Sequence, residues 1–402
     1  MFALRKGNSM HVIMTANASW NIWNFRRPVV EALLAEGNQV TVLAPLDGSV
    51  SNLENLGCRV RPLDMNVKGL NPLEDLKLQH KFKQIFREEQ PDVVLSYTIK
   101  NNIFGSLAAR SVNVPFLPNV TGLGTTFLSG SLLQTVTEQL YRRSFSKLST
   151  VFLQNEDDRD LFLERSLVRP DQAQILPGSG IDLVHFAPTA MPPTGGAPIF
   201  LMIARLLRDK GVMEFVDAAR QIKARHPKAQ FQLLGAAGSE NRSSIDHATV
   251  NNWVKEGVIE YLGTTNDVRP AISAASCVLL PSYREGAPRT LIEAAAMARP
   301  VISTDVPGCR AVVDNNISGF LCDARSADSL AATIERFLSL SPGAQKTMGQ
   351  FGRAKMERKY DQSIVVDAYR QAISRLVKPG MASESEYAFL NHLKTEKYAN
   401  AS

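Results

Sequence analysis

Short apolar runs alternate with helical patterns along the whole chain, and this alternation restricts the possible folds more than any other feature of the sequence. In both halves, each apolar run is followed by a longer segment whose apolar residues recur at helical spacing. Strands that alternate regularly with helices form parallel sheets covered by helices on both faces. The predicted fold class is therefore α/β, with two Rossmann-like, doubly wound parallel-sheet domains.

The predicted strands and helices can be read directly from these runs. In the first half, strands are predicted at His11–Thr15, Gln39–Ala44, Arg59–Asp64, Asp92–Tyr97, Pro115–Pro118, Thr150–Gln154 and Ala173–Leu176, with helices at Arg27–Glu36 and Leu73–Glu88. In the second half, strands are predicted at Ile199–Ile203, Gln230–Leu234, Ile259–Leu262, Cys277–Pro281, Val301–Thr304 and Gly319–Leu321. Helices are predicted there at Gly211–His226, Val268–Ala275, Pro288–Ala298, Asp328–Ser339, Thr347–Tyr360 and Ser363–Val377.

The alternation breaks once, in a Pro- and Gly-rich stretch between Gly178 and Ile199. Such a composition is typical of a linker, and 402 residues exceed the size at which a single core keeps growing. The predicted organisation is an N-terminal domain at 1–180, a linker at 181–198 and a C-terminal domain at 199–360. A helix at 361–377 can cross back to the first domain, and 378–402 form a loose tail. Two such domains usually bind their ligands in the cleft between the carboxyl ends of their sheets.

Charge and apolar content limit the partners of the chain. Residues 1–150 carry 16 Lys and Arg against 11 Asp and Glu, which suits an anionic membrane face or a phosphorylated ligand, although solubility alone is an equal explanation. Nucleic acid is disfavoured, because no basic run has aromatic residues interleaved and no zinc-finger spacing occurs. No apolar run reaches the roughly 18–20 residues that span a bilayer. The segment Lys77–Arg87 predicts a helix with apolar and basic sides, which suits either a membrane surface or packing on its own sheet.

The cysteines and histidines give no pattern for a metal site. The spacing of the cysteines fits no ligand set, and their apolar surroundings favour buried, reduced thiols in a cytosolic protein. The six histidines are scattered, without a pair at ligand spacing. We therefore expect no metal and no cofactor. The four cysteines are Cys58, Cys277, Cys309 and Cys322.

Two cations follow the first predicted strand of the second half. Arg205 comes directly after the apolar run, and Lys210 follows with four residues between them. Two cations at the carboxyl end of a strand can hold the two phosphates of a nucleotide diphosphate and stabilise the charge that develops when it leaves. A solvated basic turn would show the same residues, and Arg208 lies nearby.

Two carboxylates frame the start of a helix made mostly of small residues. Glu285 lies in a loop after the run Cys277–Pro281, and Glu293 lies on the helix that Pro288 begins. The first-turn amides of that helix can bind an anion. Glu285 can accept hydrogen bonds from sugar hydroxyls, and Glu293 can bind a ribose diol. An exposed helix position is the ordinary explanation for a single Glu, but the sequence LIEAAAMA is so apolar that this carboxylate needs a partner.

Taken together, these motifs resemble the donor-site signature of glycosyltransferase family 4, the two-domain fold called GT-B. The resemblance covers roughly residues 10–377 and rests on the Arg-x4-Lys pair, EGAPRTLIE, the linker SGIDLVHFAP and the segment IEYLGTTNDV. The segments NIWNFRRPVVEALLAEGNQVTVLAP, KNNIFGSLAAR and TGLGTTF resemble a subgroup that acts on polyprenyl-diphosphate-linked saccharides.

The resemblance implies roles for individual residues on the donor side. Arg205 and Lys210 would hold the donor diphosphate, and Glu285 would bind hydroxyls of the donor sugar as the third catalytic residue. Glu293 would bind the ribose. The remaining donor-binding residues would be Leu262 and Gly263 at the nucleobase, with Gly286, Ala287, Pro288, Arg289 and Thr290 near the sugar and phosphates.

On the acceptor side, the resemblance points to the loops that follow the first strands. Asn24 and Arg26 are expected in the loop after the first strand, and Gly122 and Gly124 in a glycine-containing loop facing the cleft. Many family members carry a histidine near the position of Ile99, where this chain offers Lys100 and Asn101 instead. A mechanism in which a leaving-group phosphate oxygen takes the acceptor proton does not need that histidine.

An acidic triplet resembles a metal motif of another glycosyltransferase fold. Asp158–Arg159–Asp160 has the spacing of Asp-x-Asp, but it lies in an acidic, helix-like stretch. We interpret it as a solvated helix start.

The resemblance implies a retaining, metal-independent glycosyltransferase. It would move an N-acetylhexosamine from a UDP-sugar to a polyprenyl-diphosphate-linked saccharide in bacterial surface-glycan or glycoprotein biosynthesis. We expect it in the cytoplasm, in peripheral contact with the anionic inner face of the plasma membrane. The alternatives are a nucleotide-sugar epimerase of the same architecture and a catalytically silent scaffold of glycan assembly.

Overall fold

Two parallel sheets organise the chain. The computed structural model describes residues 9–67, 71–123, 132–193, 195–239, 241 and 243–377. One sheet has seven strands in the order β3-β2-β1-β4-β5-β6-β7, and the other has six in the order β10-β9-β8-β11-β12-β13. The strands are β1 His11–Thr15, β2 Gln39–Ala44, β3 Arg59–Pro62, β4 Val93–Tyr97, β5 Phe116–Val120, β6 Val151–Leu153, β7 Ala173–Ile175, β8 Ile199–Ile203, β9 Gln230–Leu234, β10 Glu260–Gly263, β11 Cys277–Leu280, β12 Val301–Thr304 and β13 Gly319–Cys322.

Helices connect these strands and cover the sheets. They are α1 Ser19–Ala35, α2 Val50–Leu56, α3 Pro72–Glu89, α4 Ile99–Ser111, α5 Leu132–Phe145, α6 Glu156–Glu164, α7 Val212–Arg225, α8 His247–Lys255, α9 Arg269–Ala274, α10 Arg289–Ala296, α11 Cys309–Val312, α12 Ala327–Leu338, α13 Pro342–Lys359 and α14 Gln362–Val377. The predicted α/β class, with two Rossmann-like parallel sheets, is confirmed.

The chain forms two compact units. The first comprises 1–119, 143–151 and 366–402, and the second comprises 120–142 and 152–365. In the first unit β1 lies between β2 and β4, so that Val12 is opposite Val40 on one side and Val93 on the other. The last helix, α14, adds Tyr369 to this unit, where Asn119 Nδ2 donates to its hydroxyl at 3.0 Å.

The second unit buries apolar side chains on both faces of the six-stranded sheet. Alternate residues of β8 point to opposite faces: Phe200 belongs to one core cluster together with Phe215 and Phe231, and Leu201 belongs to another together with Leu291. The Phe200 and Phe231 rings stack with their centroids 5.1 Å apart. Both faces are therefore covered, as the continuous apolar strands predict.

The apolar side of the segment Lys77–Arg87 belongs to the core of the first unit. In α3 the side chains of Leu78, Phe82, Ile85 and Phe86 are buried, so this face packs inside the protein and is not a membrane surface. In the part of the chain that the structure describes, no helix has both the length and the apolar content needed to cross a bilayer.

The four cysteines are free and buried, as predicted. Burial raises the pKa of each thiol, to about 11 for Cys58 and about 12 for Cys309 and Cys322. The thiols are therefore protonated at neutral pH, which makes them poor nucleophiles.

Candidate active site

The loop after β8 brings Lys210 to the end of β11. After Ile203 the chain passes through the exposed Arg205 and forms a 3-10 turn at Arg208–Lys210. Gly211 ends this turn with φ of +76°, and a Cβ atom at this position would lie 2.0 Å from the carbonyl oxygen of Pro281. Only glycine allows this approach.

Lys210 and Glu285 form an ion pair in this part of the second unit. Lys210 Nζ lies 2.5 Å from Glu285 Oε1, and the two side chains are 20% and 13% exposed. Ser282 Oγ donates to the same carboxylate oxygen at 2.7 Å. Partial burial strengthens such charge-assisted hydrogen bonds. These two sequence-predicted residues therefore meet, although 74 residues lie between them.

Neighbouring backbone groups fix the loop that carries Glu285. Tyr283 N donates to Asp209 O at 2.9 Å, and Glu285 N donates to Pro307 O at 3.3 Å. The hydroxyl of Thr304 donates to the carbonyl of Ser282. The loop is therefore tied to the segments that follow β8 and β12.

The helix α10 begins beside the end of β8. Its N-cap residue is Pro288, and the hydroxyl of Thr290 in the first turn donates to Ile203 O at 3.0 Å. The first amides of a helix have no acceptor within the helix and carry a partial positive charge. A Cβ atom on Gly286 would lie 2.3 Å from the carbonyl oxygen of Thr121, so this approach also requires glycine.

Glu293 lies one helical turn beyond Thr290, and its partner is Arg289. The Nε of Arg289 donates to Glu293 Oε1 at 2.7 Å, and the residue as a whole is 8% exposed. Burial raises the pKa of Glu293, and the guanidinium of Arg289 acts in the opposite direction. Glu293 thus contacts its own helix and not the Lys210–Glu285 pair.

The residues expected at the nucleobase lie at the end of β10. Gly263 has φ of +70°, and its carbonyl oxygen accepts a hydrogen bond from Gly235 N at 2.7 Å. Leu262 packs against the core cluster that includes Leu291 of α10. Ala287 is half-buried and belongs to the same apolar contacts.

The predicted position of Asn24 and Arg26 in a loop is wrong. Both residues lie on α1, which begins at Ser19. Arg26 is 2% exposed, and its guanidinium lies 4.4 Å from the centroid of the Tyr97 ring. The helix starts early because Asp47 Oδ2 accepts the Trp20 amide at 2.7 Å, a contact across the sheet edge that local sequence does not reveal.

The other acceptor candidates occupy different surroundings. Lys100 lies in the first turn of α4 and forms an ion pair of 2.7 Å with Asp75 of α3. Gly122 follows β5, where a Cβ atom would have Gly286 N as its nearest neighbour at 3.9 Å. Gly124 lies outside the described residues.

Two further residues have surroundings that the sequence did not predict. Thr98 has φ of +73° at the end of β4, a conformation that is costly for a β-branched residue and that concentrates at functional sites. Asp158, interpreted from sequence as part of a solvated helix start, is 1% exposed and forms an ion pair with Arg284. The predicted helix start is confirmed, because Asp158 lies in the first turn of α6, but its predicted exposure to solvent is wrong. Asp160, by contrast, has a side chain that is 63% exposed.

Among the residues that the structure describes, no three His, Cys, Asp or Glu side chains group closely enough to hold a metal ion. The acidic triplet Asp158–Arg159–Asp160 provides no such group. Asp158 pairs with Arg284, and Asp160 pairs with its neighbour Arg159.

Two family models match the chain. The model described as "Glycosyl transferases group 1" matches residues 190–355, which include the Lys210–Glu285 pair and α10. The model described as "Glycosyl transferase 4-like" matches residues 7–155. The chain is therefore a glycosyltransferase whose two halves match these two family models. Asp158 lies between the two matched ranges.

Proteins with similar sequences are also named as glycosyltransferases. This glycosyltransferase is 27% identical over 385 residues to the N,N'-diacetylbacillosaminyl-diphospho-undecaprenol alpha-1,3-N-acetylgalactosaminyltransferase of Campylobacter jejuni, covering 92% of this chain and 100% of the relative. It is 25% identical over 283 residues to the UDP-Gal:alpha-D-GlcNAc-diphosphoundecaprenol alpha-1,3-galactosyltransferase of Escherichia coli, covering 67% and 72%. The structure of HepE from Anabaena in complex with UDP superposes with a TM-score of 0.73 at 18% identity, covering 91% and 100%.

These findings favour a transferase over the two alternatives considered from sequence. Both curated relatives are named as glycosyltransferases, and neither is an epimerase or a scaffold. The ion pair and the carboxylate of α10 lie within the range that the group 1 model matches.

Proposed function

We propose that this glycosyltransferase moves an N-acetylhexosamine from a UDP-sugar to a polyprenyl-diphosphate-linked saccharide in bacterial glycan biosynthesis. The observation that carries the proposal is the contact between Lys210 and Glu285 at 2.5 Å, close to the start of α10. The names of the two relatives support the class of substrates, because both contain a diphospho-undecaprenol acceptor. A UDP donor is supported by the name of the E. coli relative and by the HepE complex.

The ion pair suggests how the donor is recognised. A diphosphate carries more negative charge than a carboxylate, so it competes with Glu285 for Lys210. Glu285 then keeps the hydrogen bond from the Ser282 hydroxyl. Its carboxylate, released from Lys210, accepts hydrogen bonds from the donor sugar. Arg205 and the first-turn amides of α10 complete the diphosphate site, and Glu293 binds the ribose.

The proposed transfer proceeds with retention of the anomeric configuration. The acceptor hydroxyl oxygen forms a bond to the anomeric carbon on the face from which UDP departs, while the bond between that carbon and the phosphate oxygen breaks. A phosphate oxygen of the departing UDP takes the hydroxyl proton. Lys210 and Arg205 stabilise the charge on UDP, so no metal or cofactor is needed in this proposal.

A group of exposed apolar side chains supports peripheral contact with the membrane. These side chains lie in the loops and helices that follow β1, β2 and β3, three neighbouring parallel strands whose carboxyl ends share one edge of the sheet. Each is at least 44% exposed. Single exposed apolar residues are common, whereas a group of them marks an interaction surface. We call them the apolar rim, and they are Trp20, Leu46, Val67, Leu73 and Leu76.

The activity is tested with a panel of radiolabelled UDP-sugars and a polyprenyl-diphosphate monosaccharide, in the presence of excess chelator. We expect a labelled lipid-linked disaccharide from a UDP-N-acetylhexosamine, with an α-linkage by NMR. Loss of activity in chelator would contradict metal independence, and a β-linkage would contradict retention. Release of free UDP without a lipid product would favour the epimerase.

The apolar rim is tested by co-sedimentation with vesicles that contain anionic phospholipid. Replacing Leu73 and Leu76 by Ser should reduce the bound fraction several-fold, because burial of two leucines contributes roughly 3–6 kcal/mol when complete. Activity on a water-soluble, short-chain acceptor should not change. The control is Val184→Ser in the second unit, at a side chain that is 88% exposed. Unchanged sedimentation of the double variant would contradict the proposed membrane contact.

A further inference from the structure

The start of α6 holds the segment that carries Glu285. Asn155 caps this helix, with its Oδ1 accepting the amide of Asp158 at 2.8 Å. The side-chain amide of Asn155 donates to Gly286 O at 2.8 Å and to Asp158 Oδ2 at 3.1 Å. Asp158 forms an ion pair with Arg284. Glu285 is therefore anchored through both of its neighbours in sequence, and all of these residues lie in the second unit.

The burial of Asp158 shows that its carboxylate is not simply a solvent-exposed group at the start of a helix. Asp158 is 1% exposed and the side chain of Arg284 is 18% exposed. Burial raises the pKa of Asp158, and the charge of Arg284 opposes this shift. Burying a carboxylate without a partner costs free energy. Removing one partner of a buried ion pair therefore strongly destabilises the folded protein. A helix N-terminus accepts an exposed acid without that cost, as Glu156 illustrates in the same first turn.

We propose that Asp158 and Asn155 are positioning residues for Glu285. They touch neither Glu285's carboxylate nor the groups that would react, and they act through Arg284 and Gly286. With both neighbours fixed, the Glu285 side chain faces Lys210 and Ser282. The inference rests on the proposed function, because it assigns a purpose to the placement of a donor-binding carboxylate.

Loss of the Asp158–Arg284 ion pair should affect binding of the donor's sugar and binding of its UDP part differently. Asp158→Asn keeps the shape of the side chain and removes its charge, so that Arg284 is left without its carboxylate partner. The segment around Glu285 then occupies more than one conformation. Because Glu285 is proposed to bind the sugar, whereas Arg205 and Lys210 are proposed to bind the diphosphate, recognition and turnover of the UDP-sugar should fall much more than the affinity for UDP.

The test compares Asp158→Asn with Asp160→Asn, a matched control on the same helix. For each variant we would measure kcat and KM for the UDP-sugar, the Kd of UDP by calorimetry, and amide hydrogen exchange of the peptide 282–290. We expect kcat/KM to fall at least tenfold for Asp158→Asn, with the Kd of UDP within twofold of the wild-type value. Exchange in 282–290 should rise, and Asp160→Asn should match the wild type in every measurement.

Further variants separate positioning from simple loss of structure. Asp158→Glu keeps the charge and should recover part of the activity lost in Asp158→Asn. Arg284→Met combined with Asp158→Asn should cost no more than Asp158→Asn alone, because both remove the same anchor. If Asp158→Asn does not fold, Asn155→Ser, which keeps a helix cap and loses the contact with Gly286, takes its place in the same measurements.

The outcomes distinguish this inference from the proposed function. Wild-type kcat/KM and unchanged exchange in 282–290 for a folded Asp158→Asn would overturn the positioning role. An equal loss of UDP affinity and of sugar recognition would overturn it as well, because Glu285 would then not be the group affected. A wild-type protein that neither binds UDP nor transfers a sugar would refute the proposed function, and the exchange data would still decide whether Asp158 anchors the segment.

Discussion

Lys210 is the residue whose loss should separate catalysis from folding most clearly. Its Nζ contacts Glu285, and its side chain is one-fifth exposed, so that its removal leaves no large cavity. Losing one group that stabilises developing negative charge typically costs about 3–4 kcal/mol of barrier. We expect Lys210→Ala to reduce kcat by a factor on the order of 10²–10³, with a nearly unchanged midpoint of thermal unfolding.

The matched control for Lys210 is the neighbouring cation in the same turn. Arg208 is exposed, and Arg208→Ala should retain the activity of the wild type in the same assay. If Lys210→Ala keeps most of its turnover, Lys210 does not stabilise the leaving diphosphate.

The charge of Glu293 should lower the stability of the folded protein at neutral pH and strengthen the binding of UDP. Burial raises its pKa, so the folded state binds this proton more tightly than the unfolded state. The contribution of Glu293 to the free energy of unfolding therefore falls as pH rises above about 4, the ordinary value for Glu, through its raised pKa. Glu293→Gln removes this dependence and should make the variant progressively more stable, relative to the wild type, as pH increases to 7.

The same variant should bind UDP more weakly. A hydrogen bond to a charged group contributes about 1.5–3 kcal/mol, so we expect a loss of affinity on the order of tenfold or more. Denaturant unfolding between pH 4 and 7 and calorimetry with UDP provide the two measurements. A variant that is less stable at pH 7 and binds UDP normally would contradict both expectations.

The predictability of single residues depended on whether their partners were near in sequence. Arg205, Lys210 and Glu285 follow apolar runs, and this position alone places them at the carboxyl edge of a parallel sheet. The burial of Asp158 depends on Arg284, which lies 126 positions away. The burial of Arg26 similarly depends on Tyr97. Local sequence carries neither contact, and the burial of both residues was therefore not predicted.

Strands were easier to predict than helix ends. Buried strands of a parallel sheet are nearly continuous apolar runs, and each predicted strand is present to within two residues at either end. The helix α1 was predicted to begin at Arg27 but begins at Ser19. Pro28 lies inside it, and a proline normally indicates the first turn of a helix. The residues before Arg27 also join the helix, and Asp47 of another loop accepts the Trp20 amide in the first turn.

Small residues allow α13 to cross close to the end of α10, the helix that carries Glu293. A Cβ atom on Gly349 would lie 2.1 Å from the carbonyl oxygen of Ala298, directly after α10. Gly349→Ala should therefore force the two segments apart and lower the free energy of unfolding by about 1–3 kcal/mol. Denaturant unfolding measures this change.

A second glycine of the same helix provides the control. Gly343 is exposed, and a Cβ atom there would meet only the Ser341 hydroxyl at 3.9 Å. Because alanine favours a helix over glycine, Gly343→Ala should be neutral or stabilise by up to about 1 kcal/mol. Equal effects of the two substitutions would show that the approach of α13 to Ala298 does not limit the packing.

At the scale of the whole molecule, the alternation of strands and helices predicted two sheets, and the structure contains two. The composition of the stretch near Gly178 indicated where one sheet ends and the next begins. The compact units do not follow this division, because the first unit takes three separate stretches of chain. Contacts between distant stretches, such as Glu36 with Arg370, assemble this unit, and hydrophobic periodicity carries no information about them.

Tyr369 has a consequence for the synthesis of the protein. It is 1% exposed in the first unit, and 250 positions separate it from its hydrogen-bond partner Asn119. At 5–20 residues per second, a ribosome needs roughly 10–50 s to cover that distance. The first half to be translated thus waits for α14 before its interior is complete. We expect nascent chains to remain clients of chaperones until α14 has been translated, and shortened proteins that end before α14 to be degraded.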